Sequence, residues 1–302
     1  MKLPIAALLV ASLALRAPAA AGEETTAAPG AQTSSPGTPT AAVAPVTAEA
    51  SRWRLGAAFG YGVRSNPLIQ SDDIPIVVDL DIAWFGDHFF FDNGDLGLTF
   101  LDNEYVTTSV VGRLNSDRVF FGLTDTRYIT IGNFAAAPLS TPDTLDNLEA
   151  VESISVPDRD FAGEIGVELL TDGRWGFAQA TAFHDVTGTH EGYELAASYG
   201  YGWRDQRLYI EPSVGLSYKS AAMNDYYWGV RENELFPGSP RYEVGAGTNV
   251  YARLQVGYQI NRNWSFSFVG EVERLNDAAA DSPIVADQSI VAYFAGFGYR
   301  FR

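Results

Sequence analysis

The amino-acid sequence predicts an all-β fold, a transmembrane antiparallel β-barrel of about 12 strands with short periplasmic turns and long extracellular loops. Three observations lead to this prediction. Long segments alternate large apolar residues with small or polar ones, which places successive side chains on opposite faces of a strand. The N-terminal segment has the composition of an export signal. The connections between the alternating segments sort into tight turns and long loops.

Residues 1–21 are predicted to be a secretory signal peptide. Lys2 supplies a basic start, Leu3 to Leu15 is an apolar stretch, and Ala19-Ala20-Ala21 has the small residues of a cleavage site. The apolar stretch is too short for a helix that crosses about 30 Å of hydrocarbon. The alternative interpretation is a short buried helix. We expect the segment to be removed and the mature chain to be exported.

Residues 22–50 have a different composition from the rest of the chain. They are rich in Ala, Thr and Pro and contain no aromatic residue. Such a segment cannot bury enough apolar surface to order itself. We therefore predict a disordered periplasmic segment at 22–50, followed by the barrel at 51–302.

From Trp53 onward the alternation has a period of two. We predict strands at about 52–63, 75–85, 88–101, 104–114, 119–132, 160–171, 174–186, 191–204, 207–220, 247–260, 263–275 and 288–301. Most are longer than the five or six residues typical of globular proteins, and a tilted membrane-spanning strand needs about nine to eleven. A soluble β-sandwich is the alternative, but it would need shorter strands and polar outer faces.

The predicted connections alternate between two kinds. The tight ones are Phe85-Gly86-Asp87, Asn115-Ser116-Asp117, Thr171-Asp172-Gly173, Arg204-Asp205-Gln206 and Asn261-Arg262-Asn263. The long ones are 64–74, 133–159, 221–246 and 276–287. Asn93-Gly94 is a strong hairpin signal, but a hairpin there would add a strand and spoil this sorting. We therefore interpret Asn93-Gly94 as a bulge within one strand.

Composition excludes several functional classes. The 302-residue chain carries a formal net charge of −17, which disfavours nucleic acid as a partner because its phosphates would be repelled. The absence of Cys leaves neither a disulfide framework nor a thiolate metal site. The G-x-G repeats at 60–62 and 200–202 do not open helices, so they are not nucleotide-binding loops, and we predict no cofactor.

Few residues offer chemistry for catalysis or metal binding. Some outer-membrane barrels are hydrolases or acyltransferases, so His184, beside Asp185, and then His190 are the best candidate bases. Neighbouring strand residues point to opposite faces, so His184 and Asp185 should not form a pair. Asp72 and Asp73 could bind a divalent cation but lack the spacing of a calcium loop. We predict no catalytic residue and no metal site.

The inward face of the predicted barrel is rich in charge. Its members are Asp79, Asp81, Glu164, Glu168, Glu194, Glu211, Glu271 and Glu273 against Arg52, Arg54, Arg204, Lys219, Arg253 and Arg300. The first, eleventh and twelfth strands meet at barrel closure. We therefore predict a lumenal charge network whose members are Arg52, Arg54, Arg253, Glu271, Glu273 and Arg300. Such a network either plugs the lumen or lines a narrow pore.

Several short motifs resemble one family of outer-membrane proteins. They are Asn66-Pro67-Leu68, Ser71-Asp72-Asp73, Phe89-Phe90-Phe91, Tyr226-Tyr227-Trp228-Gly229-Val230, Glu234, Tyr242, Asp281-Ser282-Pro283-Ile284-Val285 and the ending from Gly296 to Phe301. This combination resembles the MltA-interacting protein family, also called MipA/OmpV, although Trp228 stands where the family more often has Phe. The resemblance implies an outer-membrane location. From the best-known member it implies a scaffold that joins a lytic murein transglycosylase to a peptidoglycan synthase. Other members look more like narrow pores for small solutes or proteins that contact a host.

Overall fold

The computed structural model of the protein describes residues 53–121, 128–131, 134–135 and 157–301. The signal peptide predicted at 1–21, the segment predicted to be disordered at 22–50, and Arg52 all lie outside the described residues.

The described residues form fifteen strands, which we number in chain order. They are β1 (Trp53–Arg64), β2 (Ile74–Phe85), β3 (Phe89–Asp92), β4 (Asp95–Asp102), β5 (Thr107–Leu114), β6 (Tyr128–Ile131), β7 (Phe134–Ala135), β8 (Gly163–Gly173), β9 (Gly176–Asp185), β10 (Tyr193–Gly200), β11 (Trp203–Asp205), β12 (Leu208–Lys219), β13 (Gly247–Gln259), β14 (Trp264–Arg274) and β15 (Ser289–Phe301). A 3₁₀ helix covers Asp117–Phe120, and two short helices are α1 (Ala221–Trp228) and α2 (Asp277–Ala280).

Twelve of these strands close into an antiparallel barrel, as the sequence predicts. The circuit runs β1-β2-β3-β4-β5-β8-β9-β10-β12-β13-β14-β15 and returns to β1. β11 continues the line of β10 along β12. β6 and β7 lie off this circuit, and β6 pairs in parallel with β2.

The period-two alternation of the sequence separates an outer face from an inner face. On β1 the outward side chains include Trp53, Phe59 and Tyr61, all more than half exposed, as a lipid-facing surface requires. The inward positions of β1 include Gly60, where an added Cβ would lie 2.1 Å from the carbonyl oxygen of Ala295. The glycine therefore allows β1 and β15 to approach each other closely at barrel closure.

The two ends of the barrel differ in their connections. One end carries five short turns, at residues 86–88, 103–106, 174–175, 206–207 and 260–263, and also holds the start of β1 and the end of β15. The other end carries the longer connections, including 65–73, 220–246 and 275–288. Short turns face the periplasm in outer-membrane barrels, so we name the ends periplasmic and outer. Among the described residues, no helix has the length and apolar character needed to cross a bilayer.

Two predictions about the first half of the barrel are wrong, and the errors offset each other in the strand count. Asn93-Gly94 is a hairpin turn that separates β3 from β4, with φ of 50° at Asn93 and 107° at Gly94. The Asn93 side chain secures the turn by accepting a hydrogen bond from the Ile82 backbone N–H at 2.9 Å. Both central residues have the positive φ of a type I′ turn, so the local signal prevails over the long alternating pattern around it.

The strand predicted at 119–132 is the second error. Its start is the 3₁₀ helix Asp117–Phe120, and its end contains β6, which pairs with β2 outside the barrel circuit. Because the Asn93-Gly94 hairpin adds a strand before it, the turn at 115–117 lies at the outer end instead of the periplasmic end, and 103–106 takes the periplasmic position. Phe120 and Phe121 are buried at the outer mouth, where tertiary packing outweighs their preference for a strand.

Candidate functional site

The outer end of the barrel is filled by a packed apolar cluster, which we call the outer-mouth cluster. Its members are Leu68, Ile74, Phe120, Phe121, Met223, Tyr227, Trp228, Val230, Val244, Leu275, Ala279, Ile284 and Ile290. They come from strand ends, from α1 and α2 and from the connections between strands. Trp228 stacks at an angle against both Phe120 and Phe121, with ring centroids 5.8 and 6.0 Å apart. The cluster therefore forms a small hydrophobic core across the outer opening.

Hydrogen bonds fix helix α1 in this cluster. The Ser220 hydroxyl caps α1 by accepting from the backbone N–H of Met223. At the other end of α1, the Ser282 hydroxyl donates to the carbonyl of Trp228 at 2.5 Å. The Tyr242 hydroxyl donates to the carbonyl of Ala278 at 2.8 Å, which ties the connection after α1 to α2.

A buried arginine links two further connections to the cluster. Arg159 donates to the Glu234 carboxylate at 2.7 and 3.2 Å and to the Gly229 carbonyl at 3.0 Å. Burial acts to raise the pKa of Glu234, but the hydrogen bonds from Arg159 and from the Arg231 backbone outweigh it and lower the pKa. Glu234 is therefore held as a carboxylate that fixes residues 229–234 to the segment before β8.

Beneath the cluster lies a layer of buried ion pairs. Arg113 on β5 donates to Glu164 on β8 at 2.8 Å and also pairs with Glu194 on β10. Lys219 reaches Asp117 at 2.5 Å. All five side chains are less than one-tenth exposed. Each of these charges has an opposite partner, and the attraction between partners offsets the free-energy cost of removing the charges from water.

A second part of the layer joins β13 and β14. Arg253 and Glu271 face each other across the two strands, and the guanidinium reaches the carboxylate at 2.5 and 2.6 Å. Glu273, two residues further along β14, accepts from the Asn249 amide at 2.8 Å. The guanidinium of Arg64 lies over the Phe120 ring at 4.6 Å, so it joins the charged layer to the outer-mouth cluster.

A separate polar group lies nearer the periplasmic end. Arg54 donates to Asp81 and Asp92, both at 2.9 Å, around the Asn93-Gly94 turn. Its side chain is 22% exposed, in contrast to the nearly inaccessible pairs of the outer half. Arg300 on the adjacent strand is half-buried and lies opposite Gly56.

The six residues of the predicted lumenal network are thus distributed over two levels. Arg253 and Glu271 are in contact, and Glu273 lies beside them on the same inward face. Arg54 contacts carboxylates of β2 and β3 instead of Glu271 or Glu273, and Arg52 lies outside the described residues. A single connected network of all six residues stays a prediction.

The candidate catalytic and metal-binding residues occupy structural positions. His184 is exposed on the outer face and bonds the Gly192 carbonyl at 2.8 Å, whereas Asp185 is buried and accepts from the backbone of His190 at 2.7 Å. Asp73 accepts from the backbone of Asn66 at 3.1 Å. Within the described ranges, no group of three or more His, Asp or Glu side chains is arranged to hold a metal ion.

Some residues of the interior escaped the sequence-based prediction. Arg113 lies at an inward position of a predicted strand, so the alternation could have identified it. Asp117, Arg159 and His190 lie in connections between strands, where no periodicity indicates which way a side chain points. His190 is buried with its Nε2 atom 3.4 Å from Glu164, and the long sequence separation gives no signal for that contact.

Comparison with known proteins identifies one family. The family model described as MltA-interacting protein MipA matches residues 55–301. The outer membrane protein OmpV of Vibrio cholerae is 30% identical over 124 residues, which are 39% of this chain and 46% of that protein. The outer membrane protein Omp26La of Vibrio anguillarum is 26% identical over 39% of this chain and 46% of its own length.

A third relative has a more specific name. The MltA-interacting protein of Escherichia coli is 25% identical over 129 residues, which are 42% of this chain and 52% of that protein. The chain spans about half the length of the curated relatives it matches. Among solved structures, the translocator domain of the autotransporter NalP from Neisseria meningitidis is 9% identical to this chain, with a TM-score of 0.32. The alignment covers 84% of this chain and 90% of that domain. Similarity at that level bears on no functional conclusion.

Proposed function

The chain belongs to the MltA-interacting protein family of outer-membrane β-barrels, and from this premise we propose that it is a noncatalytic scaffold. In this role it holds a lytic murein transglycosylase and a peptidoglycan synthase together at the inner surface of the outer membrane during cell-wall turnover. The name of the Escherichia coli relative supports an interaction with the first of these enzymes.

The observation that carries the proposal is the closure of the outer mouth. The outer-mouth cluster and the ion pairs beneath it occupy the outer half of the interior with side chains that are almost inaccessible to water. A barrel filled in this way is poorly suited to the passage of solutes. Its accessible surface outside the membrane then includes the five periplasmic turns, which are the surface that periplasmic enzymes would meet.

A narrow pore for small solutes is the second candidate. It is favoured by the periplasmic half of the interior, where Arg54 is partly exposed and where inward positions such as Gly56 are small. The two candidates make different demands on the outer half, because a pore needs a continuous path through it and a scaffold does not.

Co-purification from the intact envelope tests the scaffold. The barrel is extracted in mild detergent after crosslinking in living cells, and the bound proteins are identified by mass spectrometry. We expect enrichment of a murein transglycosylase and a peptidoglycan synthase over a second, unrelated outer-membrane barrel prepared in parallel. Recovery of neither enzyme, from preparations in which the barrel itself is abundant, would refute the scaffold.

A further inference from the structure

The five periplasmic turns carry opposite charges on opposite sides of the barrel mouth. Along the circuit, the β2–β3 and β4–β5 turns come first, followed by the β8–β9, β11–β12 and β13–β14 turns. The tips of the last three each carry an arginine, and we call them the basic arc: Arg174, Arg207 and Arg262. The acidic residues in the first two turns or directly beside them form the acidic arc: Asp87, Asp102 and Glu104.

The three arginines of the basic arc are exposed, and none of them forms an ion pair with a described residue. By contrast, several arginines elsewhere in the described residues stand beside carboxylates, as Arg253 does in the interior and Arg241 does on the outer surface. Asp172 and Asp205 flank two of these turns, so the net positive charge of the region is smaller than that of the three arginines alone. The chain has a formal net charge of −17, so three exposed arginines without ion pairs on neighbouring turns form a local positive patch on a negatively charged protein.

The dimensions of the basic arc suit a protein surface. Adjacent strands lie about 4.8 Å apart, so neighbouring turns, two strands apart, are separated by about 10 Å and the arc spans about 20 Å. The acidic arc lies across the opening and also presents Tyr105, whose side chain is 72% exposed. Exposed tyrosine and arginine are the residue types that dominate protein interfaces.

We propose that the periplasmic rim is a docking surface for a protein partner with a two-signed face, acidic where it meets Arg174, Arg207 and Arg262 and basic where it meets Asp87, Asp102 and Glu104. An anionic lipid surface would be attracted by the basic arc but repelled by the acidic arc at the same level of the barrel. A partner with complementary charges is attracted by both, and the two arcs then fix its orientation around the barrel axis. This inference rests on the proposed scaffold function and adds the surface that performs it.

Charge reversal tests the docking surface. The rim variant is Arg174→Glu/Arg207→Glu/Arg262→Glu, and its matched control is Arg231→Glu/Arg241→Glu, which reverses exposed arginines at the outer end. Purified barrel in nanodiscs is titrated with soluble lytic murein transglycosylase at low and physiological salt. We expect the rim variant to bind about tenfold more weakly or worse and to lose most of the salt dependence, while the control binds as the unaltered protein does. Heat-modifiable migration of each variant verifies that the barrel has formed.

The outcomes distinguish a failure of the docking surface from a failure of the proposed scaffold function. If the unaltered barrel and the rim variant bind the transglycosylase equally, the docking surface is wrong and the scaffold stands. If the unaltered barrel does not bind the transglycosylase, that scaffold partner is wrong, and the same nanodiscs are incubated with periplasmic extract. Proteins lost from the rim variant but retained by the control, and released by salt, then support the docking surface. Identical profiles from all three barrels would overturn the docking surface. If the only effect of the rim variant is weaker binding to vesicles of anionic phospholipid, the basic arc binds lipid and the docking surface is wrong.

Discussion

At the scale of single residues, the buried pair of Arg253 and Glu271 is a contact on which the stability of the interior depends. Their side chains are only 3% and 4% exposed, so if one partner is removed the charge of the other stays buried away from water. We expect Glu271→Ala to reduce the free energy of unfolding by about 3–5 kcal/mol, the range for breaking a buried pair. Urea unfolding in detergent micelles, followed by tryptophan fluorescence, measures the change.

The matched control is an exposed pair of the same chemistry. Arg241 and Glu243 are 2.8 Å apart but 66% and 61% exposed, so water screens the interaction. Glu243→Ala should change the unfolding free energy by about 0–1 kcal/mol. Equal effects of the two substitutions would mean that the interior around Arg253 is filled with water, which would favour a pore.

The Arg159–Glu234 contact predicts a response to acid. The pKa of Glu234 is lowered in the folded protein, so its contribution to stability is complete above the ordinary value of 4.5 and is lost as the pH falls through the lowered value. We expect the connection that contains Glu234 to loosen below about pH 4.5. A nitroxide attached at Phe236→Cys, in a chain that has no other Cys, reports this as increased mobility in electron paramagnetic resonance spectra.

The Glu234→Gln substitution serves as the control for this titration. The amide keeps the shape of the side chain but removes the charge that Arg159 pairs with. The label should then be mobile at neutral pH and show no step on acidification. A label that is equally immobile from pH 7 to pH 3 in the protein with Glu234 would contradict the assignment.

At the scale of secondary-structure elements, the Asn93-Gly94 turn depends on its glycine. Gly94 has a φ of 107°, a conformation that residues with a Cβ rarely adopt. We expect Gly94→Ala to cost about 1–2 kcal/mol of unfolding free energy through backbone strain. The control is Gly112→Ala on β5, where the nearest atoms to a new Cβ are 3.9 Å away and the backbone is extended. Indistinguishable unfolding curves for the two variants would show that the turn has another conformation.

The same region explains how far the sequence could predict the elements. Where a strand alternates over its full length, as in β13 and β14, its bounds were predicted to within one or two residues. The prediction failed at 88–101 and at 119–132, because Asn93-Gly94 interrupts an alternating segment and because Phe120 and Phe121 are apolar for a different reason. They pack into the outer-mouth cluster, and only the assembled barrel brings their partners Tyr227 and Trp228 to them.

At the scale of the whole molecule, some features of the interior could be predicted from the sequence and others could not. The inward position of Arg253 and Glu271 follows from the alternation of their strands, and their pairing follows from the register of β13 and β14. The outer-mouth cluster could not be foreseen in the same way, because most of its residues come from short helices and connections that lack the alternation of the strands. The sequence therefore indicated a charged interior and left open whether that interior was plugged or open.

The outer-mouth cluster leads to a prediction about conductance. Tyr227 and Trp228 are almost fully buried and stand in contact with Phe120 and Phe121, so truncating them opens space directly across the outer mouth. In planar-bilayer recordings we expect the unaltered barrel to be silent. The double variant Tyr227→Ala/Trp228→Ala should show discrete openings, since removing a buried aromatic side chain costs about 3–5 kcal/mol and loosens its surroundings. Phe236→Ala, at an exposed position of the same connection, should stay silent. A steady conductance in the unaltered barrel that changes with Arg253→Ala would contradict closure and assign the protein to the pores.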